Sequence, residues 1–279
     1  MNSTPPHLQH SSMRSYLAGV SPGSPKALVS GICRTRVRQI PRGFTLVEIA
    51  IAVFIITLLL GSILVPLTTQ VEQRQVSETE KTVVNIKEAL VGFAVANGYL
   101  PCPDKTTAAG AGTANDGIED VNAGVCVATS QGNVPWVTLG VGTSDVWGNR
   151  FRYQVTAAYA QRPPAPGGSF NLSTAATINV CTAGGCPANT RLTAESPDGA
   201  VAVVISLGKN GLGAINASTG TTNPAPTSAD ENENVTGPAF FVRRTMTPAD
   251  AAAGEFDDIV IWLSKHTLFN RMVVAGKLP

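Results

Sequence analysis

The sequence predicts an α+β fold: a long N-terminal helix, part membrane-embedded and part amphipathic, packed on an antiparallel sheet. Three observations predict it. The stretch 44–67 is almost wholly apolar, and a helix-period stripe carries on from it to Ala96. From Gly98 onward, short apolar runs alternate with turn residues. A helix first and strands later is the order of an α+β domain.

Along the chain this gives a basic leader over 1–43, the transmembrane half of the helix over 44–67, its amphipathic half over 68–97, and a head over 98–279. The leader carries Arg14, Lys26, Arg34, Arg36, Arg38 and Arg42 and no acid, and its first 30 residues are rich in Ser and Pro and read as unstructured. Beyond Gly43, 14 Lys and Arg face 19 Asp and Glu, a net of −5. That sign, with no basic tract after the leader, makes nucleic acid a poor default partner.

From Phe44 to Leu67 only Thr45, Glu48, Thr57, Gly61, Ser62 and Pro66 interrupt the apolar run. About 20 mostly apolar residues suffice to span a bilayer as a helix. Positive charge before the run, and none after it until Arg74, places the leader inside and the remainder outside. An ordinary signal peptide has a shorter apolar region, roughly 7–15 residues, and a small-residue cleavage site. Here the run is too long and no Ala-x-Ala pattern closes it. A plain anchor explains the run but not Glu48, since an ionised side chain near the centre of a membrane helix costs about 2.5–3.5 kcal/mol. A cut after Gly43 supplies a partner. It makes Phe44 the N-terminus, with an ammonium four residues from Glu48. In a bundle of such helices, Glu48 of one copy neutralises the Phe44 amine of another, a buried pair suited to setting register.

The motif Gly43-Phe44-Thr45-Leu46-Val47-Glu48, with its basic flank and apolar helix, resembles the cleavage and methylation motif of type IV pilins and type II secretion pseudopilins. The resemblance implies cleavage of the Gly43–Phe44 bond by a prepilin peptidase, N-methylation of Phe44, and subunit docking through Glu48. It implies as partners other pilin-like subunits, the peptidase and an inner-membrane assembly platform. Its location would be single-pass in the inner membrane, head in the periplasm, with assembly into a periplasmic pseudopilus or a surface pilus. Two departures from the family's pattern stand out. The family's leader is usually short, so either translation starts downstream at Met13 or this leader is long. The helix-bending proline sits one position late, at Pro66, where loss of a backbone hydrogen bond loosens the helix and allows local melting around Leu64–Leu67 in a filament.

Beyond the membrane half, Val76, Thr79, Val83, Ile86, Leu90 and Phe93 recur at spacings of three and four, one face of an amphipathic helix that packs against its own head. Asn97-Gly98 offers a C-terminal cap, and Pro101 and Pro103 prevent continuation. In the head, Phe151, Tyr153 and Val155 alternate as a strand; Val201–Leu207, Phe240–Val242 and Ile259–Leu263 are further strands. Leu268, Met272 and Val273 mark a short final helix ended by Gly276. The Asn-, Thr-, Ser-, Pro- and Gly-rich segment 213–238 reads as a long loop, and Pro163, Pro164 and Pro166 mark another.

Cys33 lies in the leader. Cys102, Cys126, Cys181 and Cys186 form an even set in the part that leaves the cytosol, allowing three pairings. Their spacings favour Cys102–Cys126 and Cys181–Cys186, which suits an oxidising compartment. The competing reading is a zinc site, although no histidine lies near Cys181-x4-Cys186.

Asp145-x-Trp147-Gly148-Asn149 followed by Phe151 and Tyr153, then Ser206-Leu207-Gly208 with Asn210-Gly211, and Asp257-Asp258-Ile259 with Trp262, are similar to segments of major pseudopilins. In those relatives the corresponding loop binds calcium, so the resemblance implies oxygen ligands at Asp257 and Asp258, helped by backbone carbonyls near Leu207. The alternative is that Asp257 caps a turn and Asp258 is solvated. Asp230, Glu231 and Glu233 match no calcium-loop spacing.

Signs of an enzyme are few. His266 is the one histidine after Gly43 and falls at the start of the final helix, a surface position. A triad would have to use it, and a His-rich zinc site is excluded. No Gly-x-Ser-x-Gly elbow or P-loop is present, and Gly110-x-Gly112 with Gly117 has the wrong interval and no preceding strand. The pair Glu119/Asp120 reads as a solvated turn rather than a hydrolytic dyad. The expectation is a structural subunit of a pseudopilus rather than an enzyme. A minor type IV pilin for adhesion or DNA uptake, and a tethered binding protein that never polymerises, are the rivals.

Overall fold

The computed structural model describes residues 43–128, 131–163, 169–237 and 240–278, without the side chains of 62–67. Residues 1–42, and so the leader apart from Gly43, lie outside the described residues, as do Pro164 and Pro166. The chain divides into two compact units, Met1–Ile56 and Thr57–Pro279.

In the first unit, Gly43, Phe44 and Thr45 lead into helix α1 (Leu46–Asn97). Thr45 occupies the N-cap, and its Oγ1 accepts a hydrogen bond from the Glu48 amide at 3.2 Å. Thr45-x-x-Glu48 is therefore a capping-box sequence, with the acid in the first turn where the helix dipole favours it. The apolar residues that follow are exposed all round: Leu46 at 87%, with Val47, Ile49, Ile51, Val53 and Phe54 each at least half exposed. Among the described residues no helix is long and apolar enough to cross a membrane. The run with described side chains ends at Gly61, short of the about 20 residues a span requires.

In the second unit, α1 continues as helix through residues 62–67 and on to its cap. The backbone is helical through Pro66 in the single chain, whereas the melting expected around Leu64–Leu67 belongs to the filament. Val83, Ile86, Leu90, Val91 and Ala94 are buried, so the helical stripe does face a core. Thr79 is buried with them, whereas Val76 and Phe93 are half-buried at its rim. Gly98 ends the helix at φ +84, a left-handed conformation that its lack of a Cβ permits, and its amide donates to Ala94 O at 2.7 Å.

That core lies on one face of a four-stranded antiparallel sheet. Strands β1 (Val121–Asn122) and β2 (Val125–Cys126) form a separate small hairpin. Strand β3 (Gln131–Asn133), a short helix α2 (Trp136–Leu139) and β4 (Arg152–Val155) follow, then β5 (Asn179–Cys181) and β6 (Ala200–Ser206). Helix α3 (Ala229–Thr236), β7 (Phe240–Val242), β8 (Ile259–Ser264) and α4 (Lys265–Val274) complete the chain. The sheet order is β3-β4-β6-β8, leaving β8 at an edge.

The parallel pair β5·β7 covers the other face. Alternation along β6 makes this visible: Ala202 and Val204 join the core beneath α1, whereas Val203 and Ile205 join Ile178, Val180 and Phe241 in a second core. Burial on both faces explains why every residue of β6 and β4 is buried, Arg152 and Gln154 included. Both cores together make a three-layered head rather than the two layers expected. Strands β4, β6, β7 and β8 fall where the apolar runs predicted them.

One expectation is corrected. Segment 213–238 is not a continuous loop: α3 occupies part of it, with Glu231 and Asn234 buried. Helix α4 forms where Leu268, Met272 and Val273 predicted a final helix, with Leu268 and Met272 buried and Val273 about half exposed. His266 is exposed at the start of α4, as expected.

Candidate functional site: a buried carboxylate cluster

Glu231, Asp257 and Asp258 converge in the head, with one carboxylate oxygen from each lying within 4.8 Å of the others. Three local structures bring them together. Helix α3 presents Glu231 from its first turn; Asp257 and Asp258 precede β8; and the turn after β6 supplies the surrounding amides.

The turn is built first by its own polar groups. Asn210 Oδ1 accepts from the Leu212 amide at 3.0 Å, and the Asn210 amide donates to Asp257 Oδ2 at 2.8 Å. Asn210 Nδ2 donates to Glu231 Oε1 at 3.2 Å, and the Asp257 amide donates to the same oxygen at 3.1 Å. Gly208, at φ +62, lies so close that a Cβ there would sit 2.1 Å from Asp257 Oδ1. That oxygen is itself buried and has no hydrogen-bond partner.

Asp258 is the deepest member, 4% exposed. Its Oδ2 accepts from Asn234 Nδ2 at 2.8 Å. Asn234 in turn clasps Val242 on β7: Nδ2 donates to Val242 O at 2.9 Å and Oδ1 accepts from the Val242 amide at 2.7 Å. The solvated reading of Asp258 is thereby overturned. Asp257 does bind a turn amide, as the turn-capping reading had it, and at the same time faces two further acids.

Burial is the first cause that raises the pKa of all three acids; for Asp258 the shift is large, and repulsion from Glu231 and Asp257 adds to it. No salt bridge to any of the three occurs among the described residues. Lys209 lies near enough to Asp257 to offset its charge in part, but pairs with Glu72 on α1.

This donor set fits a hard cation such as calcium. The ligands are all oxygens, none of the three acids has a salt bridge among the described residues, and one buried oxygen has no hydrogen-bond donor. Glu231, Asp257 and Asp258 would hold the ion, whose chemistry there is charge neutralisation across α3, the turn and β8. Asp257 and Asp258 are the pair that the resemblance implies, whereas Glu231 matches no calcium-loop spacing and comes to them from 26 residues before Asp257. Ser228-x-x-Glu231, a helix-start pattern, was the signal that could have brought it in.

The remaining candidates hold structure together. Cys102–Cys126 and Cys181–Cys186 are disulfide-bonded, which overturns the zinc reading. Glu119 accepts from the Cys102 amide at 3.1 Å and pairs with Arg162, and Asp120 accepts from the Lys105 amide at 2.8 Å; neither is a solvated turn residue. Lys105 Nζ gathers the carbonyls of Ala109, Gly110 and Ala111, the glycine run that resembled no phosphate loop. Asp145 organises its predicted turn, accepting from the Trp147 and Asn149 amides and from Ser206 Oγ. Glu48 and Phe44 are exposed in the first unit.

No family model, curated protein or solved structure matches the chain.

Proposed function

We propose that this chain is a structural subunit of a pilin-like filament, a minor subunit of a type II secretion pseudopilus. In this reading it is cut before Phe44, methylated there and held in the inner membrane until assembly. The observation that carries the reading is α1. Its first turns are apolar, exposed on every side and charged only at Glu48, while its later turns are committed to the head's core. A soluble protein does not leave so large an apolar surface without a use for it. Lipid covers it before assembly, with Ser62–Leu67 completing the span on sequence grounds, and equivalent helices cover it afterwards. Glu48, in the third helical position behind Thr45, then meets the Phe44 amine of a neighbour.

The head's role is to present a surface at one end of the filament. Its acidic cluster, loaded with calcium, keeps α3 and the turn after β6 against β8. Catalysis has no part in this reading.

Mass spectrometry of the mature N-terminus tests the proposal. The expected species begins at Phe44 and carries an N-methyl group. A protein that retains Arg34–Arg42, or one cut beyond Leu60, overturns it.

A further inference from the structure

We propose that the outer edge of β8 is a docking site for an extended acidic polypeptide segment of a partner, which adds to the sheet as a fifth strand. The inference concerns the second unit alone and does not depend on membrane anchoring or filament assembly.

Strand β8 pairs with β6 on one side only. Among the described residues its other edge makes no main-chain hydrogen bond. An edge of that kind is a row of free donors and acceptors, a template for another strand. Here it is also the floor of a groove. One wall is α1, through Val76, Glu80, Val83 and Val84; the other is the segment Arg243–Met246 that follows β7. The volume is about 540 Å³, and a second hollow of about 340 Å³ continues it along Ile261–Ser264 to Lys87. Six residues of strand at about 3.3 Å each offer roughly 20 Å of edge, enough for a short peptide.

The groove's chemistry selects the occupant. Val84 and Met246 are exposed apolar side chains within the first hollow. Lys87 and Arg243 flank the second, and neither has a carboxylate partner among the described residues. Arg243 lies over the Trp262 ring at 5.4 Å from its centroid, which holds the guanidinium at the edge strand. Asp258 at the groove floor is spoken for by Asn234. The matching ligand is an extended segment with small apolar side chains in its middle and carboxylates at the end lying near Lys87. In a second copy of this chain Asp230, Glu231 and Glu233 sit in α3, Asp250 lies in a turn with the Ala251 and Gly254 amides bonded, and the neighbouring pair Glu119 and Asp120 is held by Arg162 and by the Cys102 and Lys105 amides.

The test uses the full chain in detergent micelles and three fluorescein-labelled probes. One is the capped peptide Thr-Val-Thr-Val-Asp-Asp, one ends in Lys-Lys instead, and one is the acidic peptide N-methylated at alternate amides. Fluorescence anisotropy should report binding of the acidic peptide, at least tenfold weaker binding of the other two, and loss of binding in Lys87→Glu/Arg243→Glu. Because Lys87 is only half-buried and Arg243 is exposed, circular dichroism should match the parent. In amide hydrogen exchange, the acidic peptide should slow the outer amides of Ile259–Ser264. No binding at millimolar acidic peptide, equal binding of all three peptides, or unchanged binding by the double variant overturns the proposal. So does self-association of the chain that the double variant abolishes, which would assign the edge to a second copy.

Discussion

Asn234 and Asp258 are joined by a 2.8 Å hydrogen bond inside the head, the amide of one helix serving as a donor to a buried carboxylate at the start of β8. The same amide group reads both main-chain atoms of Val242, so a single side chain ties α3 to β7 and to β8. Asn234→Ala would strip Asp258 of this donor and leave the Val242 peptide unpaired. Unmade bonds to buried groups cost about 1–3 kcal/mol each, more for a charge. Denaturant unfolding should therefore give a loss of at least about 3 kcal/mol, against less than about 1 kcal/mol for Asn232→Ala on the exposed side of α3.

Calcium should raise the melting temperature of the head, and a chelator should lower it. Asp258→Asn keeps an oxygen for Asn234 to donate to but removes one charge from the cluster. The variant is expected to melt higher than the parent in chelator and to respond weakly to calcium. Isothermal titration with calcium alone checks the binding, and equal affinity in parent and variant would exclude these acids as ligands.

The pH dependence follows from burial. Glu231, Asp257 and Asp258 all have raised pKa values, and Asp104, buried beneath the Asn115 and Gly117 amides, is pushed up to about 6. Between the unfolded and folded values such an acid holds more protons when folded. The stability this confers is present at low pH and is lost as pH rises through the folded value. Without calcium, acidification from pH 7 to pH 5 should raise the melting temperature, and Asp258→Asn should shrink that rise. Asp198, whose pKa is lowered by the Lys265 hydrogen bond, loses stability only below the ordinary carboxylate range and does not oppose the effect in this window. A melting temperature that falls steadily from pH 7 to pH 5 would contradict the assignment.

Replacing both Cys102 and Cys126 with serine opens a link of sequence separation 24. Chain-entropy arguments give about 3 kcal/mol for a loop of this length. The loss should appear in unfolding curves and be matched by reduction of the parent protein, unless the Cys181–Cys186 link contributes as well, which its own double variant measures.

Glu48→Gln should leave the melting of the head unchanged, since Glu48 lies in the first unit and is exposed. Incorporation into filaments, measured by co-purification with assembled subunits, should fall at least tenfold. Wild-type levels of incorporation would remove the charge pairing from the assembly account.

The parts of the fold that were legible in the sequence are those whose physics is local. The stripe from Thr79 to Leu90 repeats at helical spacing because its neighbours on the helix face share one core, and Gly98 marks the end because the residue after the last helical turn is left-handed. Strand β6 was legible as a continuous apolar run because both of its faces are covered. Helix α3 was not. Asn, Asp and Thr favour turns, and what makes Ala229–Thr236 helical is the pull of distant partners on Glu231 and Asn234. For the same reason Glu231 fits no calcium-loop spacing in the sequence, while Asp257 and Asp258 stand side by side. Pairing of β5 with β7 was equally hidden, because a parallel pair leaves no hairpin turn to read.

Asp230 and Glu231 are consecutive, yet they hold different things. Asp230 accepts from the Gly184 amide inside the Cys181–Cys186 loop and pairs with Arg244, and Glu231 faces the other two acids. If the three acids hold a cation, one turn of helix waits on two separate chemical events, thiol oxidation and cation capture. A newly made head in a reducing, calcium-poor environment would keep this corner slack. It would stiffen only in surroundings that supply both, so its rigidity would report the conditions that the molecule has met.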